Sequence, residues 1–427
     1  MGVRLKTYGD ALDFLYARTT GVWRLGLDRV EGFLGVLGDP HRRVPTIHVA
    51  GTNGKGSVCA TLEAVLRAKG LRVAKYTSPH LVDFRERFLV DGVPVSPERI
   101  VAFIDRYTPD VERLGATFYE ATTAMAFEFF AEAQVDVAVI ETGLGGRLDA
   151  TNVVAPLVAG VTTIGIDHVE YLGGTREEIA VEKAGIFKPG TPAVIGEPEE
   201  EIRALLTRLA HERGATPVRT VYDEGGPTSI AVGPDGTSFD LPAFGRRLRT
   251  PLLGAHQAAN AAVALAMLDA LPERFRPSQA EVELGLHRVR LPGRFERVGR
   301  YIFDVAHNPD GAGVLARTLA AVRPPGPVVA VLSVLADKDW RGILRELQPV
   351  VDHVILTNAP TAPSSRAWDI PEPLAYAMSL GMSAEVIRDF DRALVRGSEE
   401  GVTVVITGSF HTVGDAMARL EVSPTAG

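Results

Sequence analysis

The 427-residue chain has one cysteine, Cys59, so no disulfide can form within it, and a reduced cytoplasm is the expected location. It lacks long apolar runs. Stretches such as Val328–Leu332 and Ala261–Leu268 fall far short of the ~20 residues that cross a bilayer, so no membrane partner is expected. The first residues carry Arg4, Lys6, Asp10 and Asp13 in place of an apolar segment, and no secretory signal is read there. Gly2 is not followed by the myristoylation pattern, because position 6 is lysine. An excess of basic charge is missing as well: acids outnumber bases by 53 to 45, which argues against a uniformly basic nucleic-acid binder. Lysine itself is scarce, at positions 6, 55, 69, 75, 183, 188 and 338 only, so the places where it persists stand out.

What is present is ordinary for a globular protein: 46% hydrophobic and 23% charged residues, enough apolar surface to exclude a chain disordered throughout. The length suggests two or three domains. Short apolar strands (Thr46–Val49, Arg72–Tyr76, Val135–Ile140, Leu157–Thr162, Pro192–Ile195) alternate with helical patterns such as Gly56–Lys69 and Glu120–Gln134. Strands apolar on both faces and separated by helices predict a parallel sheet covered on both sides. Residues 218–253, broken by Gly225-Gly226-Pro227 and Gly233-Pro234-Asp235-Gly236, predict antiparallel hairpins, followed by a helix at about 257–271. The alternation resumes at Ile302–Val305, Val328–Ser333, His353–Thr357, Ala384–Ile387 and Val402–Thr407, a second α/β unit beginning near Leu291-Pro292-Gly293. Two such units imply a ligand cleft at strand C-termini.

The clearest chemical signal is Gly51-Thr52-Asn53-Gly54-Lys55-Gly56-Ser57, which follows an apolar strand and opens a helix. Glycines let backbone N–H groups approach a polyphosphate, the helix N-terminus favours negative charge, and Lys55 adds a cation. The spacing departs from the common P-loop: the glycines are three apart, and Ser57 lies two beyond the lysine. Glu141 ends the strand Val135–Ile140 and opens Glu141-Thr142-Gly143-Leu144-Gly145-Gly146-Arg147-Leu148-Asp149-Ala150-Thr151-Asn152; a carboxylate at that edge is well placed to hold Mg²⁺ against ATP phosphates. Ser78, in Thr77-Ser78-Pro79-His80, is held extended by Pro79 and aimed at the same edge. His168 follows Gly165-Ile166-Asp167 there, as a metal ligand, a base or a plain loop residue. Lys183, in Glu182-Lys183-Ala184-Gly185-Ile186-Phe187, reads by itself as a surface lysine paired with a neighbouring Glu. In the second half, Arg294 reads singly as a hinge residue, and Asp304 as the cap of a helix beginning near Asp310. His307 and Ser409 follow strands on the edge facing the cleft, and His256-Gln257-Ala258-Ala259-Asn260 opens the helix before the linker.

Together these segments resemble the folylpolyglutamate synthase and dihydrofolate synthase family of the Mur-ligase superfamily, from Gly26-Leu27-Asp28-Arg29-Val30 to Gly408-Ser409-Phe410-His411-Thr412-Val413. The resemblance implies an α/β fold: an N-terminal P-loop ATPase domain with a mostly parallel sheet (1–292) and a C-terminal Rossmann-like domain (293–427). It implies an ATP- and Mg²⁺-dependent ligase that adds L-glutamate to dihydropteroate, to tetrahydrofolate or to both, through an acyl phosphate. Thr52, Asn53, Gly54 and Lys55 match the phosphate loop, which runs on through Gly56 and Ser57. Asn260, Arg294 and Asp304 match residues that hold the rest of ATP. Ser78, Glu141 and His168 match metal ligands, and Lys183 matches a lysine that the family carries as a carbamate, so that Lys55, His168 and Lys183 become the catalytic set. Arg24, Leu25 and Gly26, then Thr117, Phe118, Tyr119 and Glu120, then Leu148, Asp149 and Ala150 match pterin-binding segments. His307 and Ser409 are expected to contact glutamate. A monomer acting on small molecules, without nucleic acid, completes the expectation.

Two rivals are weighed. Peptidoglycan-precursor ligases of the same superfamily generally carry a nucleotide-sugar-binding domain ahead of the phosphate loop, which here starts at residue 51. A P-loop regulatory NTPase does not account for the second α/β unit or for Glu141 and His168.

Overall fold

The computed structural model describes residues 7–19 and 26–425, which form three sheets. The largest contains β1 Thr46–Ala50, β2 Val73–Tyr76, β3 Phe88–Val90, β4 Val93–Pro94, β5 Val137–Glu141, β6 Val158–Val161, β7 Ala193–Ile195 and β8 Val218–Thr220. Their order is β4-β3-β2-β5-β1-β6-β7-β8, parallel except for β3 and β4 at one edge. Every residue of β1 and β5 is buried, as strands covered on both faces require. In β5 the two-residue period sorts the layers. Val137 and Val139 pack with the helices Lys55–Ala68, Ala255–Asp269 and Gln279–His287, whereas Ala138 and Ile140 pack with Pro97–Leu114 and Phe118–Glu132. The chain leaves β1 for β2 on one side and later crosses from β5 to β6 on the other. That change of direction opens a crevice at the carboxyl ends of the central strands.

A second sheet, β9 Thr228–Gly233, β10 Gly236–Leu241 and β11 Arg246–Thr250, is antiparallel. The hairpins expected over 218–253 are therefore found only in its later part. Val218–Thr220 lies before the Gly225-Gly226-Pro227 turn and extends the parallel sheet beside β7 instead. One hairpin was unread: β3 and β4 turn on Asp91-Gly92, with φ of 52° and 76°, the positive values that a tight two-residue hairpin turn needs.

The third sheet contains β12 Glu296–Val298, β13 Tyr301–Phe303, β14 Val328–Leu332, β15 His353–Leu356, β16 Ala384–Val386 and β17 Thr403–Thr407. Its order is β12-β13-β17-β14-β15-β16, parallel apart from β12. Val329, Val331, Val404 and Ile406 face the helices Phe390–Glu400 and Phe410–Arg419, while Ala330, Leu332, Val354 and Val405 face Pro309–Val322 and Trp340–Leu347. No helix among the described residues is long and apolar enough to cross a membrane.

Candidate active site

The loop after β1 has a steric need for its glycines. Gly51 has φ of 153°, and a Cβ there would stand 1.7 Å from Thr162 Oγ1; at Gly54, φ 89°, a Cβ would meet Asn260 Oδ1 at 2.3 Å. Asn260 thus lies directly against the loop. Gly54 precedes the Lys55–Ala68 helix without a side-chain cap, leaving first-turn N–H groups for an anion. Asn53 O accepts from Thr162 Oγ1 (2.6 Å), and the Thr52 hydroxyl donates to Gly165 O (3.1 Å) while accepting from Gly165 N–H (3.0 Å). These bonds tie the loop to residues 162–165. Ser57 is buried in the helix's first turn. Lys55 Nζ folds back to donate to Gly51 O (3.0 Å) and Thr52 O (3.2 Å).

Glu141 reaches the same edge from the end of β5 and is buried; its Oε2 accepts a long bond from Ser78 N–H (3.4 Å). Burial pushes its carboxyl up, against the opposing pull of Lys55, the Ser78 N–H, Arg294 and Lys75. Lys183 is not a surface lysine. It is 4% exposed and donates to Gly51 O (2.8 Å), the carbonyl that Lys55 also uses. Its neighbour Glu182 pairs instead with Arg147 (2.8 Å). Burial, then the Lys55 charge, pushes the Lys183 amine down to about 7. The segments 143–152 and 182–187 interlock: a Cβ on Gly146 would lie 2.7 Å from Lys183 O, and one on Gly185 would lie 2.3 Å from Arg147 Cα. Asn152 Nδ2 joins the two by donating to Arg147 O (3.0 Å) and Gly185 O (3.1 Å).

The loop carrying His168 is braced from below. Fully buried Glu197 accepts from Ile164 N–H (2.7 Å) and from Arg176 Nη2 (3.1 Å), and Arg176 Nε donates to Ile164 O (2.9 Å). Both backbone polar groups of Ile164 are thereby fixed. Sequence reasoning passed over Glu197, although Gly196-Glu197-Pro198 directly follows a strand. Glu197→Ala strands buried donors and is expected to destabilise the fold by about 1–3 kcal/mol; urea unfolding would measure it, and an unchanged midpoint would remove the brace. At the loop's end, Asp167 pairs with Lys338 of the second unit (3.1 Å) and lies 3.7 Å from His168 and 4.0 Å from His307. Burial raises the Asp167 carboxyl, but His168, Lys338 and His307 outweigh it and hold the group below the usual range. His168 keeps 41% of its side chain exposed, and burial of the rest lowers its pKa.

From the second unit, Arg294 is held in the junction with its guanidinium 5.3 Å from the Phe410 ring. Asp304 does not cap the next helix: Asn308 does, through Gly311 N–H (2.7 Å). Asp304 instead accepts from Phe295 N–H (2.9 Å) and Ala306 N–H (2.9 Å), which fixes the segment holding Arg294. His307 uses Nδ1 on Val305 O (2.9 Å), which directs Nε2 toward the junction. Ser409 is buried; its hydroxyl caps the last helix by accepting from Thr412 N–H (3.0 Å) and bonds Thr412 Oγ1 (2.7 Å).

The phosphate-type loop, a buried carboxylate, a depressed lysine and a second α/β unit therefore meet at one sheet edge. The family model described as the Mur ligase middle domain matches residues 49–268, and that described as Mur ligase, glutamate ligase domain matches 293–410. The Escherichia coli dihydrofolate synthase/folylpolyglutamate synthase is 37% identical, covering 99% of this chain and 97% of its own. The chain belongs to this family of Mur ligases. Among solved structures, the Mycobacterium tuberculosis folylpolyglutamate synthase complexed with ADP superposes with a TM-score of 0.88 at 35% identity, covering 98% of this chain and 99% of the other. A bifunctional folylpolyglutamate synthase/dihydrofolate synthase with Mn, AMPPNP and L-glutamate bound gives 0.81 at 35% identity, with 98% and 99% covered.

Within a Mur ligase of this branch, the segments expected to meet the pterin divide into two groups. Arg24 and Leu25 lie outside the described residues; Gly26 stands just before the helix Asp28–Val36. Thr117 and Glu120 cap their own helix reciprocally, and Glu120 is further paired with Arg29 (2.8 Å). Asp149 is turned inward, accepting from the N–H groups of Gly143 (2.9 Å), Leu144 (2.7 Å) and Thr151 (3.0 Å), and Ala150 is buried. Phe118, Tyr119 and Leu148 are the members that present apolar side chains: Phe118 stacks on Tyr16, and Tyr119 tilts against Tyr76.

Proposed function

We propose that the chain is an ATP-dependent ligase that joins L-glutamate to dihydropteroate and to reduced folates. Residues 1–292 serve as the nucleotide-binding unit and 293–427 as the unit that brings glutamate, in a cytoplasmic monomer that acts on small molecules and not on nucleic acid or membrane. The observation that carries this reading is the meeting of Lys55, Glu141 and Lys183 at the edge where β1 opens into an uncapped helix, facing Arg294 and His307 of the second unit.

A carboxylate does not condense with an amine in water unaided. One oxygen of the pteroyl-side carboxylate attacks the γ-phosphorus, the β–γ bond breaks, and ADP leaves. The glutamate amine, after losing its ammonium proton, attacks the acyl carbon; the C–N bond forms, the C–O bond to phosphate breaks, and phosphate departs. Lys55 and the helix N–H groups of residues 54–57 lower the repulsion between two anions brought together. Asn260, Arg294 and Asp304 hold the remainder of the nucleotide.

The donor chemistry also suits magnesium. Among the described residues no three His, Cys, Asp or Glu side chains gather to hold a metal by themselves. Magnesium needs few protein ligands, because phosphate oxygens and waters complete its shell. Glu141, a buried carboxylate with only one long hydrogen bond from Ser78, fits that role, with Ser78, His168 and carbamylated Lys183 beside it. The metal would supply positive charge against the polyphosphate and the acyl phosphate.

The test is ADP formation by purified protein. Turnover is expected only when ATP, L-glutamate and either dihydropteroate or tetrahydrofolate are all present; turnover with ATP alone would favour a regulatory NTPase, and turnover with another amino acid would favour a different Mur-type ligase. His307, whose Nε2 faces the junction, is assigned to the amino-acid side. His307→Ala should raise the KM for glutamate roughly 3- to 10-fold with the KM for ATP unchanged, and an unaltered glutamate KM would remove it from the site.

A further inference from the structure

Beside Phe118, three side chains form a hydrogen-bond chain of fixed polarity that the reaction above does not use. Arg87 Nε donates to His80 Nδ1 (2.9 Å), and His80 Nε2 lies 3.4 Å from the Tyr16 hydroxyl oxygen. Arginine only donates, so Nδ1 carries no proton. A neutral imidazole must then carry its proton on Nε2 and donate it to Tyr16. A ring that accepts at Nδ1 cannot be doubly protonated, so this bond by itself fixes both the neutral form and the tautomer. The Tyr16 oxygen is therefore occupied as an acceptor, and its own hydrogen points elsewhere. Among the described residues no acceptor is within reach of it. Burial raises the Tyr16 pKa, which keeps that hydrogen in place.

The surroundings say what the hydrogen faces. Tyr16 remains 42% exposed, with its ring stacked on Phe118 at 5.5 Å and 16°. The Arg87 guanidinium lies over the same Phe118 ring, 5.3 Å from its centroid. His80 is two residues beyond Ser78 at the end of β2, and His411 of the second unit is near enough to act on its charge. The hydroxyl thus opens on an aromatic-walled corner, with the Arg87 cation and the Asp83 carboxylate both near it, between the pterin-type segment and the sheet edge where the carboxylate is activated.

We propose that Tyr16 donates a hydrogen bond to an oxygen of the pteroyl substrate, its direction set by the chain from Arg87 through His80. This rests on the functional reading above and names a substrate contact within it. The ligand's carbonyl and carboxylate oxygens are acceptors only, so a group locked as a donor suits them, and an acceptor at the same place would repel them. Tyr16→Phe keeps the ring and its stack on Phe118 and removes only the hydroxyl.

Calorimetry with dihydropteroate and with tetrahydrofolate is the test, on wild type and Tyr16→Phe, each with ADP present. The expected result is a roughly 10- to 100-fold weaker affinity for the pteroyl ligand, with unchanged ADP affinity and an unchanged unfolding midpoint. Equal loss for both ligands assigns the oxygen to the shared pteroyl part; loss for tetrahydrofolate alone assigns it to the glutamyl tail. Undiminished affinity for both ligands overturns the proposal, as does an equal fall in ADP affinity, which would mark a general disturbance. If wild type binds neither pteroyl ligand, the functional reading itself has failed, an outcome distinct from wild-type binding that Tyr16→Phe retains.

Discussion

Replacing Lys55 with alanine is expected to lower ligation by roughly 10²–10³-fold while the protein stays folded, which is the usual cost of removing one charge stabiliser from a preorganised site. The structure separates the two effects. Lys55 is the first residue of its helix, where alanine is well tolerated, and among the described residues its Nζ makes hydrogen bonds only to Gly51 O and Thr52 O. Those carbonyls belong to its own loop, so losing the amine breaks no link between elements. What disappears is a cation that can swing from its own backbone onto a phosphate. Circular dichroism and the unfolding midpoint should match the wild type, and ADP formation in the presence of glutamate and dihydropteroate should nearly vanish. Near-normal ligation by folded Lys55→Ala would remove the phosphate-loop assignment.

Much of this architecture can be read in the chain because its strands are buried on both faces. Val137–Ile140 is a continuous apolar run, and in Thr46–Ala50 the apolar Ile47, Val49 and Ala50 surround a histidine that is buried with them. Short strands at the edge of the sheet leave no such trace. Phe88–Val90 and Val93–Pro94 were missed although Asp91-Gly92 between them is a strong hairpin signal. At the site, Lys55 is legible because it opens a helix just after a strand and a Gly-rich loop, and Glu141 because it ends a strand. Side chains that work inward are not. Asp149, Glu120 and Ser409 sit in segments that suggest ligand contact, yet their polar atoms hold backbone N–H groups, and residue type alone cannot tell the two uses apart. The Asp167–Lys338 pair is illegible for a different reason: its partners come together only when the two sheets meet. Of the seven lysines only Lys55 and Lys183 fall within motifs that the sequence brings out, and Lys338 lies in none.

The last expectation concerns the other lysine at the loop. Lys183→Arg should lose nearly all ligation, about 10²-fold or more, although it preserves charge and changes size least. Lys183 and Lys55 both donate to Gly51 O, at 2.8 and 3.0 Å, in a place Lys183 shares with almost no water. Burial disfavours its charged form first, the neighbouring Lys55 charge adds to this, and together they lower its pKa to about 7. Near neutral pH much of this amine is therefore unprotonated. Its lone pair can attack CO2: an N–C bond forms, a proton leaves, and the side chain becomes an anionic carbamate. A cation that opposed a metal is thereby replaced by a carboxylate that would attract one. Arginine stays charged at any working pH and cannot follow this route. Lys183→Glu, with a carboxylate on a shorter stem, should recover part of the activity. Carbon-13 NMR after equilibration with labelled bicarbonate gives a readout independent of turnover: one carbamate resonance in the wild type and none in Lys183→Arg. An active wild type without that resonance, or a fully active Lys183→Arg, would leave Lys183 as a buried amine that only ties the loop to its helix.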